Sequence, residues 1–280
     1  MEPSSTLHLS FELDDQTTRL RVKQQQPPWR VLRGFAAPSG ELLAHVHNVS
    51  GGIFDSDSLD WRIEVAPRAL AQVTSTGATR IYRSRAANRI ASQRAVLTVG
   101  ENGYLEYLPD ALIPFAGSRF DQTTRIELAD GASLIWWDRV APGREASGEM
   151  FRYESLASSF EIIANGEAIA VERWSIMPLL RSTDSLARLG PYRHFASCYV
   201  CRAGQPASYW RAFESDLQSH ADRLSGSEIL WGVTSLKAHG LVIRGVARSG
   251  RFLADGLTEL WKAAKWSLCG RVATLPRKVY

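Results

Sequence analysis

Short runs of β-branched and aromatic residues, each ended by turn-forming residues, follow one another along the first two thirds of the chain. Such runs favour strands, because Gly, Pro, Asn and Asp interrupt regular structure between them. The interruptions share a turn-forming composition and stand at Pro38-Ser39-Gly40, Ser50-Gly51-Gly52, Glu101-Asn102-Gly103, Asp130-Gly131 and Asn165-Gly166. Residues 5 to about 190 are therefore predicted to be β-rich.

Two of these interruptions have the composition of tight hairpin turns. Asp130-Gly131 separates residues 125–129 from 132–137, and Asn165-Gly166 separates residues 160–163 from 168–171. Asp-Gly and Asn-Gly are the favoured pairs of two-residue hairpin turns. We therefore expect two β-hairpins at these positions.

The last third of the chain has a different pattern. Residues 207–224 and 252–268 carry apolar side chains at helical spacing, and two strand-like runs, 228–235 and 240–246, lie between them. The apolar content of 45% is enough for a substantial core. The prediction is a mainly β (α+β) protein with two C-terminal helices. We expect one domain over residues 1–280, comprising a β-rich body (1–190) and an α+β part (191–280).

The sequence also indicates in which cellular compartment the protein is expected. No run of about 18 apolar residues is present, and residues 1–5 lack the features of a signal peptide, so a cytoplasmic protein without a membrane anchor is expected. Three cysteines do not suggest a disulfide framework. Cys198 and Cys201 are three apart, which on a strand places them on opposite faces, so two buried structural cysteines are expected rather than one metal site.

The net charge of +4 is spread along the chain, which argues against a nucleic-acid partner. Of the 33 basic residues 28 are arginine, and there are nine tryptophans. This composition is typical of protein interfaces, but a GC-rich genome also replaces lysine by arginine. No Gly-Lys pair occurs, so no phosphate-binding loop and no bound nucleotide are expected. The sequence also lacks a Gly-x-Ser-x-Gly elbow and a His-Glu-x-x-His motif, which fits a non-enzyme or an enzyme with a dispersed site.

Two carboxylates stand in unusual surroundings. Asp138 follows Leu134-Ile135-Trp136-Trp137, a run whose two faces are both apolar, so its strand should be buried on both sides. Glu172 is expected to share a strand face with Ala168 and Ala170, opposite Ile169 and Val171. An internal passage would explain both carboxylates, and so would an Asp138–arginine pair with a solvated Glu172. His45 and His47 share one strand face and are secondary metal candidates, although such a pair is often only polar surface.

Six segments together resemble the UreD (UreH) family of urease accessory proteins over roughly residues 7 to 280. The segments share the order and spacing of that family and read His47-Asn48-Val49-Ser50-Gly51-Gly52-Ile53 followed by Asp57, Thr74-Ser75-Thr76-Gly77-Ala78-Thr79-Arg80-Ile81-Tyr82-Arg83, Leu105-Glu106-Tyr107-Leu108-Pro109, Gly143-Arg144 with Ser147-Gly148-Glu149, Val171-Glu172-Arg173, and Pro276-Arg277.

The resemblance implies a β-helix-like layered stack of strands that carries two helices and catalyses no reaction. It also implies that nickel is carried in transit through the interior, along a path that corresponds to Asp57, Thr79, Asp138 and Glu172. Oxygen ligands suit such a path because they exchange nickel readily. Asp55-Ser56 replaces a glycine pair of the family, and Asp55 could add a further ligand.

The implied partners are UreF, the GTPase UreG and the urease apoprotein, in an assembly that is expected to be dimeric. The chain would bridge UreF and UreG to urease and conduct Ni²⁺ toward the urease active site. The C-terminal helices, through Trp210, Phe213, Leu260 and Trp261, are expected to contribute an apolar partner surface. Two alternatives stay open: a protein-binding scaffold without a metal path, and a hydrolase that uses Asp138 and Glu172.

Overall fold

The computed structural model describes residues 5–86, 89–185 and 187–275; the Pro276-Arg277 segment lies outside these ranges. The strands and helices follow one another in the order β1 (Ser5–Asp14), β2 (Thr17–Gln25), β3 (Trp29–Arg30), β4 (Gly34–Ala36), β5 (Leu42–Asn48), β6 (Ser58–Val65), β7 (Leu70–Ser75), β8 (Thr79–Ile81), β9 (Ala91–Val99), β10 (Tyr104–Leu108), β11 (Leu112–Pro114), β12 (Arg119–Leu128), β13 (Ser133–Val140), β14 (Gly143–Arg144), β15 (Glu149–Met150), β16 (Ser155–Ala164), β17 (Glu167–Ile176), β18 (His194–Arg202), α1 (Ala207–Leu224), β19 (Ile229–Ser235), β20 (Gly240–Ala247) and α2 (Gly250–Cys269). The prediction of a mainly β protein with two C-terminal helices is confirmed.

Two large sheets face each other, and the chain crosses from one to the other repeatedly between β5 and β16. The first sheet has the strand order β17-β16-β12-β9-β6-β1-β2, and its five central strands run parallel. The second contains the parallel strands β5, β7, β10 and β13, extended by antiparallel β18, β20 and β19. Each turn of the coil thus adds one strand to each sheet, which is the expected β-helix-like stack.

The turns of this coil have unequal lengths. In the first sheet, one turn of the coil leads from a residue to the residue paired with it on the next strand, for example from Ser58 to Ser92, from Ala91 to Phe120, and from Arg119 to Ser155. The number of residues in a turn therefore differs from one turn to the next. Connections of different length between the sheets leave no fixed sequence period. This explains why the sequence shows no internal repeat although the fold is repetitive.

One of the two predicted hairpins is present. Asn165-Gly166 joins antiparallel β16 and β17, and both residues have positive φ, as a two-residue turn requires. The predicted hairpin at Asp130-Gly131 is wrong, because this turn carries the chain from β12 in the first sheet to β13 in the second. Both types of connection need a tight turn, so the turn residues could not distinguish them.

The core has two layers. One lies between the two sheets, and the other lies between the second sheet and the helices. Strand β13 contributes to both, with Trp136 in the first layer and Trp137 in the second, so it is buried on both sides as predicted. Cys198 and Cys201 on β18 also divide between the layers, and both are free and buried, as expected.

The predicted helices are confirmed as α1 and α2, but the partner surface assigned to them is wrong. Trp210, Phe213, Leu260 and Trp261 are all at most 5% exposed, because the apolar stripe of each helix packs on the second sheet. The exposed apolar side chains of α2 are Phe252 and Trp266 on its other side. Within the described ranges, neither helix is long and apolar enough to cross a membrane.

Helix α1 also covers the edge of the second sheet. Three backbone N–H groups of the edge strand β19 donate hydrogen bonds to side chains of α1 and its C-terminal cap. Trp231 donates to Ser225 Oγ at 2.9 Å, Val233 to Gln218 Oε1 at 2.9 Å, and Ser235 to Glu214 Oε2 at 3.1 Å. Side chains thus provide the hydrogen bonds that a neighbouring strand would otherwise make.

Candidate functional site

A cavity of about 580 Å³ lies between the two sheets. Thr79 at the start of β8 and Asp138 near the end of β13 both line it. The indole N–H groups of Trp29 and Trp61 are buried in its wall and have no hydrogen-bond partner among the described residues. A cavity of this size has room for water molecules that would satisfy these groups.

Asp138 lies on the inward face of β13, the face it shares with Trp136. Burial raises the pKa of Asp138 to about 6, opposed by the backbone N–H of Arg139, and the negative charge of Glu172 raises it further. The guanidinium of Arg139 is ion-paired with Asp110, Nη2 to Oδ1, at 3.1 Å. Burial also raises the pKa of Tyr107, another cavity residue, and the Asp138 charge adds to this increase.

Asp138 and Glu172 are brought together by the fold. A second cavity, of only about 10 Å³, is lined by both carboxylates together with Phe160, Ser197 and Tyr199. This volume accommodates about one water molecule. Asp138 borders the large and the narrow cavity, and Glu172 borders the narrow one.

Glu172 is held by two neighbours. The Tyr199 hydroxyl donates a hydrogen bond to Glu172 Oε2 at 2.7 Å, and the Arg244 guanidinium forms an ion pair with the same oxygen. Arg244 Nη2 also donates to the Tyr199 hydroxyl at 3.3 Å. These contacts link β17 of the first sheet to β18 and β20 of the second.

The expected alternation around Glu172 is only partly present. A register shift at Ile162/Ile163 leaves Ile169 as an extra residue in β17, so Ile169 is buried while Ala168 and Val171 are exposed. Glu172 thus shares its side of the strand with Ala170 but not with Ala168. A β-bulge shifts the alternation by one residue, which the period of two could not indicate.

A third cavity, of about 400 Å³, is also lined by Glu172. Glu172, Trp174 and Ser197 line both this cavity and the narrow one. The large cavity, the narrow cavity and the third cavity therefore adjoin one another. Asp138 lines the large and the narrow cavity, and Glu172 lines the narrow and the third cavity.

Asp57 and Asp55 are placed apart from this series of cavities. Asp57 Oδ2 accepts a hydrogen bond from the Phe54 N–H at 2.9 Å, and Asp55 Oδ2 accepts one from the Arg85 N–H at 3.1 Å. Both carboxylates thus stabilise the loop before β6. Ser56, at one of the positions of the family's glycine pair, has a φ of 67°. A left-handed conformation explains why glycine suits this position.

His45 and His47 share one face of β5, as predicted. Both line a surface cavity of about 510 Å³ together with Phe35, Leu43 and Leu275, and the His45 ring packs edge-on against Phe35 at 5.9 Å. Among the residues that the structure describes, no group of three or more His, Cys, Asp and Glu side chains is arranged to hold a metal ion.

Two of the segments that carry the family resemblance meet beside the large cavity. A Cβ atom at Gly52 would lie 2.5 Å from the Tyr82 ring and 2.6 Å from the Arg80 carbonyl oxygen. Only glycine allows this approach without displacement of the backbone. The Tyr82 ring in turn stacks on Phe54 at 4.7 Å. Gly52 and Tyr82 thus fix the loop against β8.

A buried ionic cluster was not predicted from the sequence. Lys265 of α2, Glu106 of β10 and Glu41 are at most 1% exposed. Lys265 Nζ lies 2.9 Å from Glu106 Oε2 and 3.2 Å from Glu41 Oε1, and the Trp261 indole donates to Glu106 Oε1 at 2.8 Å. The sequence did contain one indication of this cluster: Lys265 lies within the apolar stripe of α2, between Trp261 and Leu268, where a lysine is buried only with a charged partner.

The fold and its interior define a class: a coiled stack of parallel strands whose carboxylates face an internal series of cavities. Comparison with known proteins then identifies the family. Residues 4–280 match the family model described as "UreD urease accessory protein". The chain belongs to the UreD family of urease accessory proteins.

Individual relatives agree with the family match. A protein named urease accessory protein UreD from Herpetosiphon aurantiacus is 42% identical over 275 residues, which covers 98% of this chain and 96% of the relative. The corresponding protein of Pseudomonas fluorescens is 32% identical, over 97% of this chain and 92% of its own length. Urease accessory protein UreD 2 of Pseudomonas syringae pv. tomato is 33% identical, with 93% and 89% covered. These matches confirm the predicted resemblance.

Proposed function

We propose that this chain acts in urease maturation as a nickel-delivery scaffold, and that Ni²⁺ passes through its interior to apo-urease. The observation that carries the proposal is that both carboxylates line the narrow cavity, while Asp138 also lines the large cavity and Glu172 also lines the third cavity. Thr79 contributes a hydroxyl farther back, in the large cavity.

The residues present fit a cargo of this kind. Carboxylate, hydroxyl and water oxygens bind nickel weakly and exchange it, whereas thiolates and imidazoles hold it tightly. The two carboxylates are also too few to retain an ion for long. The path would therefore release its ion at the far end, as delivery requires.

The candidate residues outside the three adjoining cavities have lesser parts in this proposal. Asp57 and Asp55 would act at the loop that borders the large cavity, by holding its shape or by meeting the ion near the surface. His45 and His47 lie in a separate cavity and would be secondary sites of contact with nickel.

The proposed partners are UreF, UreG and the urease apoprotein, in a dimeric assembly that the chain bridges to urease. The exposed apolar side chains Leu179, Leu180 and Trp266 support a role in protein contacts. A chain with this surface should be poorly soluble alone and should gain solubility when it is produced together with UreF.

The experiment is urease activation after co-expression of the structural subunits, UreF, UreG and this chain. We expect Asp57→Ala, Asp138→Ala and Glu172→Ala each to lower the nickel content and activity of the recovered urease. Pull-down of UreF and UreG should be unchanged. Normal nickel loading with the triple variant would refute the carboxylate path and favour the scaffold without a metal path.

The hydrolase alternative receives less support from the geometry. Two catalytic carboxylates require an open cleft that admits substrate. Asp138 and Glu172 each line a larger cavity, but the space that they share is only about 10 Å³ and has no room for a substrate larger than water between them.

A further inference from the structure

The ion pair between Glu172 and Arg244 lies where the narrow cavity meets the third cavity. Asp138, Ser197 and Arg244 are direct neighbours across β13, β18 and β20, so their side chains leave the same face of the second sheet in one row. The Arg244 side chain extends from this row to Glu172 of the first sheet, and both residues line the third cavity where it adjoins the narrow one.

We infer that Arg244 is a latch that closes this end of the passage by occupying the Glu172 carboxylate, and that a divalent cation binds Glu172 only when the guanidinium moves away. This inference rests on the proposed nickel path. It adds a closed state to that path and assigns the closure to one side chain.

Charge is the first argument for a latch. A guanidinium on Glu172 cancels the negative charge that would attract a cation and occupies the oxygen that would ligate it. Arg181 and Arg188 also line the third cavity, so among its described lining residues three cationic side chains accompany one carboxylate, Glu172. With Arg244 in place, this end of the passage repels divalent cations.

Exposure is the second argument, because a latch must be able to move. The Arg244 side chain is 56% exposed, whereas the Glu172 side chain is 24% exposed. The guanidinium can therefore turn into solvent with little loss of buried contact, while Glu172 stays in place. The Tyr199 hydroxyl keeps its hydrogen bond to Glu172 and would hold the carboxylate in position when Arg244 leaves.

The test is Ni²⁺ binding to the purified full-length chain by equilibrium dialysis, which needs neither urease nor UreG. We expect Arg244→Gln to tighten Ni²⁺ binding by about tenfold, because it removes the competing cation. The gain should vanish in the Arg244→Gln/Glu172→Gln double variant. Arg244→Lys, which keeps the charge, should bind Ni²⁺ as the wild type does.

A matched control is available on the outer surface of the first sheet. Arg62 Nε donates to Asp60 Oδ1 at 3.3 Å in an ion pair of similar exposure. Arg62→Gln should leave Ni²⁺ binding unchanged. Tyr199→Phe provides a second probe, since it weakens the hold on Glu172 and should lower the affinity gained by Arg244→Gln.

The latch is refuted if Arg244→Gln binds Ni²⁺ no more tightly than the wild type, or if the gain persists without Glu172. These results are independent of urease activation. A gain that depends on Glu172, together with normal urease loading by the carboxylate variants, would show that Arg244 and a cation compete for Glu172 but would refute the nickel path, and with it the closing role of Arg244.

Discussion

Replacement of Lys265 by methionine should destabilise the protein strongly, although methionine has a similar volume and suits a helix. Lys265 is fully buried, and of the described residues it alone forms an ion pair with Glu106. Its removal leaves the Glu106 carboxylate buried without a cation, whereas Glu41 keeps Arg271 at 3.3 Å. Breaking a buried pair in this way costs about 3–5 kcal/mol of unfolding free energy.

The assay is urea unfolding monitored by tryptophan fluorescence, with Lys262→Met as the matched control. Lys262 is on the same helix, and its ion pair with Glu259 is exposed, at 2.7 Å. An exposed pair contributes about 0–1 kcal/mol, so Lys262→Met should be nearly silent. The double variant Lys265→Met/Glu106→Gln should recover much of the loss, because it removes the orphaned charge.

The pH dependence gives a further check. Burial raises the pKa of Glu106 in the native protein, opposed by Lys265. Without Lys265 this pKa must rise further above its unfolded value, so the native state binds a proton that the unfolded state releases. The loss of unfolding free energy that Lys265→Met causes, relative to the wild type, should therefore become smaller as the pH falls toward 5 and larger as the pH rises to 7. Equal unfolding free energies of Lys265→Met and Lys262→Met at pH 7 would refute the reasoning.

Four further outcomes are expected. Asp138→Asn should stabilise the native state at pH 7 by roughly 1–3 kcal/mol, since a folded-state pKa of about 6 makes the native protein lose stability as the pH rises from 4 through 6. Urea unfolding should show a clearly larger gain at pH 7 than at pH 4.5, and equal gains at the two pH values would contradict this reasoning. Ser197→Leu should fill the narrow cavity and lower urease nickel loading with unchanged pull-down of UreF, and normal loading would exclude passage through this cavity. Gly52→Ala should cost about 1–3 kcal/mol, because its Cβ would overlap Tyr82 and the Arg80 carbonyl, whereas Gly77→Ala, with open space at its Cβ position, should cost less than 1 kcal/mol; equal losses in thermal unfolding would contradict this explanation. The isolated chain should bind no GTP in equilibrium dialysis, and stoichiometric micromolar binding would contradict the expectation drawn from the missing phosphate-binding loop.

Much of the secondary structure was predictable because its signals are local. The apolar spacing placed both helices, and Asn165-Gly166 identified the β16–β17 hairpin. The crossing of the chain between two sheets was not predictable from residue patterns, since Asp130-Gly131 has the same composition as a hairpin turn. The family resemblance, which rests on several separated segments, supplied the β-helix-like stack that periodicity could not.

The sequence predicted only those residues of the candidate site that have a local signal. Asp138 stood out because a carboxylate in an apolar run is unusual, and the structure places it at the internal cavity. Arg244 gave no such signal, since an arginine on a strand is ordinary and its proximity to Glu172 depends on contacts across 72 residues. The helix aromatics show the opposite error: their spacing indicates a buried face, but the spacing does not say whether this chain or a partner covers it.

The position of α1 over β19 affects whether newly made copies of this chain can aggregate through the edge of the second sheet. A strand from another molecule could extend the second sheet there only by displacing Glu214, Gln218 and Ser225 from the amides they occupy. Helix α1 follows β18 and precedes β19 in the chain, so the helix is synthesised before the strand edge that it covers. The segment that covers this edge thus belongs to the same chain and is already synthesised when β19 emerges, which lowers the risk of edge-to-edge aggregation.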